Sequence, residues 1–144
     1  MHRLKDGELE VLLVHPGGPL WKNRDEGAWS IPKGEIEPGE TPVDVARREF
    51  REELGEEPPT GELSPLGSIR QAGGKTVHAW AATGDYEAGQ LNGMKFEMEW
   101  PPRSGRNASF PEVDRASWFD LDTARRKINS AQRAFIDRLE RSKI

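Results

Sequence analysis

The stretch from Gly34 to Glu56 constrains this chain more than any other. Thr41 is a helix N-cap residue, and Pro42 stands where a first helical residue tolerates proline. Gly55 supplies a C-terminal stop. Together these signals predict a helix of about 13 residues. Val43, Ala46, Phe50 and Leu54 recur at helical spacing and predict an apolar stripe facing a core. Glu49, Glu52 and Glu53 stand at i, i+3 and i+4 and share another face, centred roughly 110° away. Three like charges on one face repel, at a few tenths of a kcal/mol per pair. Stability alone does not place them there. A hard divalent cation removes the repulsion, because carboxylate oxygens are its preferred ligands. From Gly34 to Glu57 nine acids stand against three arginines, a net −6, whereas the whole chain carries −4.

The spacing of Gly34, Glu40, Arg48, Glu49, Phe50, Glu52, Glu53 and Gly55 resembles the Nudix box of the Nudix hydrolases. Glu56 departs from it, standing where an aliphatic residue is usual. That removes one packing contact behind the helix and leaves the carboxylates in place. Seven positions of fixed identity, each met by chance about 7% of the time, arise together on the order of once in a million chains. The preceding run Trp29-Ser30-Ile31-Pro32-Lys33 is also Nudix-like.

The 144 residues are an expected single domain, 1–144, with enough chain for a real core. There are no cysteines, which excludes disulfides, thiolate metal sites and a thiol nucleophile. The longest apolar run, Val11 to Val14, is far too short to span a bilayer. Met1 to Leu4 contains no apolar signal core, so a cytoplasmic location follows by default. The net negative charge argues against a general nucleic-acid binder.

Leu4 to Val14 reads as a hairpin turning at Lys5-Asp6-Gly7, and the Val-Leu-Leu-Val run predicts burial on both strand faces. The family usually begins with a longer strand; here it is either stubby or continues upstream of Met1. His15 to Gly27 reads as a loop long enough to carry function. Lys22 and Arg24 in it suit either a polyphosphate or plain solvent, and His2, His15 and His78 read as polar surface. Ala28 to Pro32 reads as a short strand. Leu66–Gln71 and Thr76–Thr83 read as strands around a Gly-Gly turn. Trp80 either stacks on a nucleobase or packs at a sheet edge. Met94, Phe96, Met98 and Trp100 alternate as one strand face. Arg103 and Arg106 sit in a glycine-containing loop that suits phosphate or solvent. Ala116 to Phe119 reads as a strand core and Asp122 as the cap of a short helix. Asn129 or Ser130 caps a last helix buried through Ala134, Phe135, Leu139 and Ile144. From Leu121 to Ile144 seven basic and three acidic residues give a net +4, read as a solvated helix face rather than a nucleic-acid patch.

The resemblance implies an α/β fold, an α/β/α sandwich with a mixed β-sheet between helices. It implies a pyrophosphohydrolase that cleaves a diphosphate bond in a nucleoside diphosphate linked to another group. The expected substrate is a small-molecule nucleoside triphosphate or dinucleoside polyphosphate. Glu49, Glu52, Glu53 and the backbone carbonyl of Lys33 would hold Mg²⁺ or Mn²⁺. Glu52 or Glu112 would take the proton of the attacking water, with Asp114 as second candidate for the later carboxylate. Glu53 completes the carboxylate set and Arg48 orients its glutamates. Lys33, Arg103, Arg106 and Trp80 are the expected substrate contacts. Two alternatives remain open: a pyrophosphohydrolase acting on 5′ RNA ends, and a nucleotide sensor without catalysis. A sensor would be expected to lack box glutamates, and all are present.

Overall fold

A computed structural model describes residues 1–34 and 37–143. Strand β1 (His2–Lys5) turns into β2 (Glu8–Pro16) through Asp6 and Gly7, both with positive φ, as a two-residue hairpin turn with the right twist requires. Strand β2 pairs antiparallel with β1 on one side and with β7 (Val113–Asp120) on the other. Hairpins β3–β4 (Ser64–Arg70, Thr76–Ala81) and β5–β6 (Lys95–Glu99, Asn107–Pro111) complete the strands. A parallel bridge between His2 and Thr83 links β1 to the end of β4, so the strands meet in mixed orientation.

Strand β2 has a core on each face, as its continuous apolar run predicted. Val11 and Leu13 pack with Leu121 and Ala124 from α2 (Leu121–Lys127), with Ile128 just after it, and with Ile136 and Leu139 from α3 (Arg133–Ser142). Leu12 and Val14 pack on the opposite side with Phe50 and Leu54 from α1 (Pro42–Leu54), and with Tyr86 and Val113. Helices therefore cover both faces, which is the expected sandwich.

Helix α1 has the predicted bounds and caps. The Thr41 hydroxyl accepts from the Asp44 N–H, the Asp44 carboxylate in turn accepts from the Thr41 N–H, and Gly55 ends the helix at φ 76°. Its buried face differs from the expected stripe. Val45, Glu49, Phe50 and Leu54 are buried, and Val43 is only half-buried. At about 100° per residue, Glu49 and Glu53 fall inside the arc from Val45 to Leu54. The sheet and the later loops close over the carboxylates, which widens the buried face beyond the apolar stripe.

Other expectations shift for local reasons. Ala28 to Pro32 is not a strand but a crossing segment. Ser30 exchanges backbone hydrogen bonds with Val14 at 2.9 Å each, and Trp29 bridges to Ile128. Asp120, not Asp122, caps α2, because its carboxylate accepts from the Thr123 N–H at 2.8 Å. Asn129 caps a single 3₁₀ turn that leads into α3. Met94 is exposed, while Phe96, Met98 and Trp100 are half-buried. His2 and His15 are buried, not surface residues, whereas His78 is exposed. Ile144 lies outside the described residues.

Candidate active site

Arg48 is the hub of the carboxylate face of α1. Its Nε and Nη2 donate to the two oxygens of Glu40, at 2.7 and 3.0 Å. Its Nη1 donates to Glu49 Oε1 at 2.8 Å and to Glu52 Oε2 at 3.1 Å. A planar guanidinium serves this forked arrangement as an ammonium could not. The Glu40 bonds are the largest cause of the upward shift of the Arg48 pKa, and Arg48 in turn holds Glu40 below the ordinary carboxylate range. Gly34 makes room for the cluster, since a Cβ there would collide with the Glu49 carboxylate.

Glu53 is the outlier. Its Oε2 is buried without a hydrogen-bond partner, and burial, aided by the charges of Glu49 and Glu112, pushes its pKa up to about 9. A backbone N–H bond from Lys33 and the Lys33 ammonium oppose that shift without cancelling it. Burial also raises the pKa of Glu49 and Glu112, with Glu52 adding repulsion to both.

Glu112 joins the cluster through backbone alone. The Met94 N–H donates to the Glu52 carbonyl at 2.7 Å, and the Glu112 N–H donates to the Met94 carbonyl at 2.9 Å. The Gly17 N–H donates to the Glu112 carbonyl at 2.9 Å, tying the loop after β2 to the same point. His15 holds that loop from below. Its Nδ1 lies 2.7 Å from Asp114 Oδ1 and its Nε2 lies 2.6 Å from the Arg24 carbonyl. Asp114 on β7 is thus the partner of the buried His15 on β2.

Lys33, Glu53 and Glu112 line one cleft of about 180 Å³, together with Trp21, Ser30, Gln71, Asn129 and Gln132. The structure does not bring the other expected substrate contacts there. Trp80 lies on β4 beside a separate apolar cavity, its ring 6.3 Å from that of His78. Arg103 and Arg106 are exposed at the tip of the β5–β6 hairpin. The register pairs Lys95 with Pro111 and Glu99 with Asn107, so the tip points away from Glu112. At 3.3 Å per strand residue the separation is roughly 17 Å. Four polar or aromatic cleft residues, Trp21, Gln71, Asn129 and Gln132, had no place in the site from sequence, where Asn129 was read only as a helix cap. Gln132 carried a readable signal, since it precedes Phe135, Ile136 and Leu139 at helical spacing and is fully buried with them.

Among the described residues, no three carboxylate or imidazole side chains converge at ligand distance, because Arg48 occupies the space between Glu49 and Glu52. The donor set still fits a hard divalent cation. It offers only oxygens, one of them buried and orphaned, and carboxyls whose pKa values a nearby cation would lower. Without metal, the native state binds a proton at Glu53 that the unfolded chain, with an ordinary value of 4.5, has released. Metal-free stability should therefore fall as pH rises from about 5 to about 9. Glu53→Gln should flatten this slope in denaturant titrations. Identical slopes in the two proteins would show that Glu53 is not held neutral.

Known proteins share this fold. The C. elegans Ap4A hydrolase, solved as a binary complex, superposes with a TM-score of 0.64 at 21% identity, over 99% of this chain and 92% of that one. The NUDIX domain of Shewanella oneidensis NrtR, solved with ADP ribose, gives 0.63 at 18% identity, over 99% and 83%. At these identities the likeness shows the fold. An RNA pyrophosphohydrolase of Halorhodospira halophila is 41% identical over 56 residues, which are 38% of this chain and 30% of that protein. Among the described residues, no helix is long and apolar enough to cross a membrane. The family model for the NUDIX domain matches residues 3–139, nearly the whole chain, and divalent metals such as Mg²⁺ or Mn²⁺ are general in hydrolases of that family. The chain belongs to the NUDIX domain family.

Proposed function

We propose that this protein is a metal-dependent pyrophosphohydrolase acting on a nucleoside triphosphate or dinucleoside polyphosphate in the cytoplasm. The observation that carries the reading is the juxtaposition of the orphaned Glu53 carboxyl, Glu112 and Lys33 in one cleft. Glu49, Glu52, Glu53 and the Lys33 carbonyl would hold Mg²⁺ or Mn²⁺, which supplies charge neutralisation of phosphate oxygens and a more acidic water. The chain's own groups do the rest. Arg48 keeps Glu49 and Glu52 oriented. The Lys33 ammonium meets phosphate charge that the cations leave. Glu112 accepts the proton of the attacking water at its carboxylate, its raised pKa making it a better base near neutral pH.

The RNA-end reading draws on the relative from Halorhodospira halophila and on the basic C-terminal helices. Those cations are largely engaged within the fold. Arg125 pairs with Asp122, Asp137 and Glu140, Arg138 donates to the Leu66 and Ser68 carbonyls, and Lys127 pairs with Asp25. The small-nucleotide reading is therefore favoured.

A screen of nucleoside triphosphates, dinucleoside polyphosphates, nucleotide sugars and 5′-triphosphate RNA, with Mg²⁺ and with Mn²⁺, tests the proposal. Turnover of RNA ends alone would move the assignment to the alternative, and turnover of nothing would return the domain to a binding role. Lys33→Ala should raise KM for polyphosphates at least tenfold, about 1.4 kcal/mol, and raise it less for a nucleotide sugar. Replacing both Arg103 and Arg106 should change KM less than twofold, in the range of exposed charges. A reversed pattern would move the phosphate handle to the hairpin tip.

A further inference from the structure

The cleft beside Glu53 and Glu112 has an inner end whose hydrogen-bonding character follows from obligate backbone donors. The Ile31 N–H can only donate, and it donates to Gln132 Oε1 at 3.0 Å. Gln132 Nε2 is therefore the donor end of that amide, and it donates to Gln71 Oε1 at 3.2 Å. The Gln71 carbonyl is thereby used, and its NH₂ group has no partner among the described residues. The same logic holds at Asn129. The Ala131 N–H donates to Asn129 Oδ1 at 3.0 Å, which leaves the Asn129 NH₂ group without a partner. Both side chains are half-buried and line the cleft. Gln132, fully buried, fixes the first of them in place.

Trp21 lines the same cleft, 37% exposed, with the Arg24 guanidinium carbon 5.4 Å from its ring centroid. A half-exposed indole beside unpaired amide donors suits a flat, acceptor-bearing ring, since bases stack on aromatic faces. The donors discriminate between purines. Guanine and hypoxanthine present two acceptors side by side, O6 and N7, whereas adenine presents a donating amino group beside N7. Adenine would set its amino group against amide N–H₂ groups and leave polar hydrogens unpaired, which a built polar site rejects strongly.

We propose that Gln71 and Asn129 read the base of the substrate, with Trp21 as stacking platform, and that they select 6-oxopurine nucleotides over adenine nucleotides. This rests on the reading of the cleft as a nucleotide hydrolase site and names which nucleotide it takes.

Equilibrium binding of GMP, IMP and AMP, followed by calorimetry, tests it without any hydrolysis, because these nucleotides have no anhydride bond. GMP and IMP should bind alike and at least tenfold more tightly than AMP. Asn129→Asp keeps the oxygen that caps Ala131 and replaces the free donor by an acceptor; Gln71→Glu does the same at its position. Each should narrow the GMP-to-AMP ratio by about fivefold or more, the low end of a base-discriminating contact. Trp21→Ala should weaken all three nucleotides alike. Equal or tighter binding of AMP, an unchanged ratio in both amide variants, or no binding of any of the three would each overturn the assignment. Selective GMP binding without turnover of any diphosphate would leave the base site standing and remove the hydrolase reading. Turnover of diphosphates without base preference would do the reverse.

Discussion

Glu52→Gln and Glu53→Gln should each lower kcat by roughly 10²-fold or more, the scale of lost metal activation or acid–base catalysis. The exchange preserves length and helix propensity while removing one charge. For Glu53 the side chain is held in place by packing and by the Lys33 N–H, so an amide can occupy the same volume. What it cannot supply is an anionic oxygen at the buried, unpartnered position of Oε2. For Glu52 the loss includes its bond to Arg48 at 3.1 Å, which lets the guanidinium settle on Glu40 and Glu49. Metal-free stability should hold or rise in both variants: Glu52→Gln relieves its repulsion with Glu49 and Glu112, and Glu53→Gln removes a buried carboxyl that the fold must keep protonated. The pairing of the two results is diagnostic. Falling activity together with rising melting temperature marks charges kept for function, whereas falling activity with falling stability would mark misfolding. Near-normal turnover by both variants would reduce the helix face to solvated surface.

Chelation should abolish hydrolysis, and Mg²⁺ or Mn²⁺ should restore it. The expected loss is the largest of any treatment, since the same cation neutralises substrate and activates water. A readout apart from activity checks the binding itself. A ligand that binds only the native state stabilises it by about 2.7 kcal/mol at a hundredfold excess over Kd. Added Mn²⁺ should therefore raise the melting temperature of the wild type, and raise it more at pH 8 than at pH 5. At the lower pH the cation must displace a proton from Glu53, whose carboxyl is pushed up to about 9 without metal. In Glu53→Gln the increment should shrink. Full turnover in a large excess of chelator would sink the metal assignment outright.

Local chemistry by itself determined α1. Thr41, Pro42 and Gly55 act on their own backbone neighbours, so the helix bounds follow from adjacent residues and match the structure from Pro42 to Leu54. The Asp6-Gly7 turn and the two-faced burial of Val11 to Val14 are legible for the same reason: turn stereochemistry and side-chain alternation are properties of short segments. Glu49, Glu52 and Glu53 could be placed on one helical face by periodicity alone. The tertiary structure decided which of them lost water. Glu53 is desolvated by tertiary burial, and Lys33 and Glu112 reach it from other parts of the chain. The position of Glu112 depends on Met94, whose N–H and carbonyl bridge α1 to the segment before β7, and backbone bonds of that kind leave no mark in side-chain pattern. Arg103 and Arg106 show the opposite error. Their nearness to Glu112 along the chain is undone by the β5–β6 register, which carries them to the far tip. The amide chain from Ile31 through Gln132 to Gln71 joins residues 31, 132 and 71 across the α3 side of the sheet. Its donors are set by which backbone groups reach it, a property that exists only after the chain has closed.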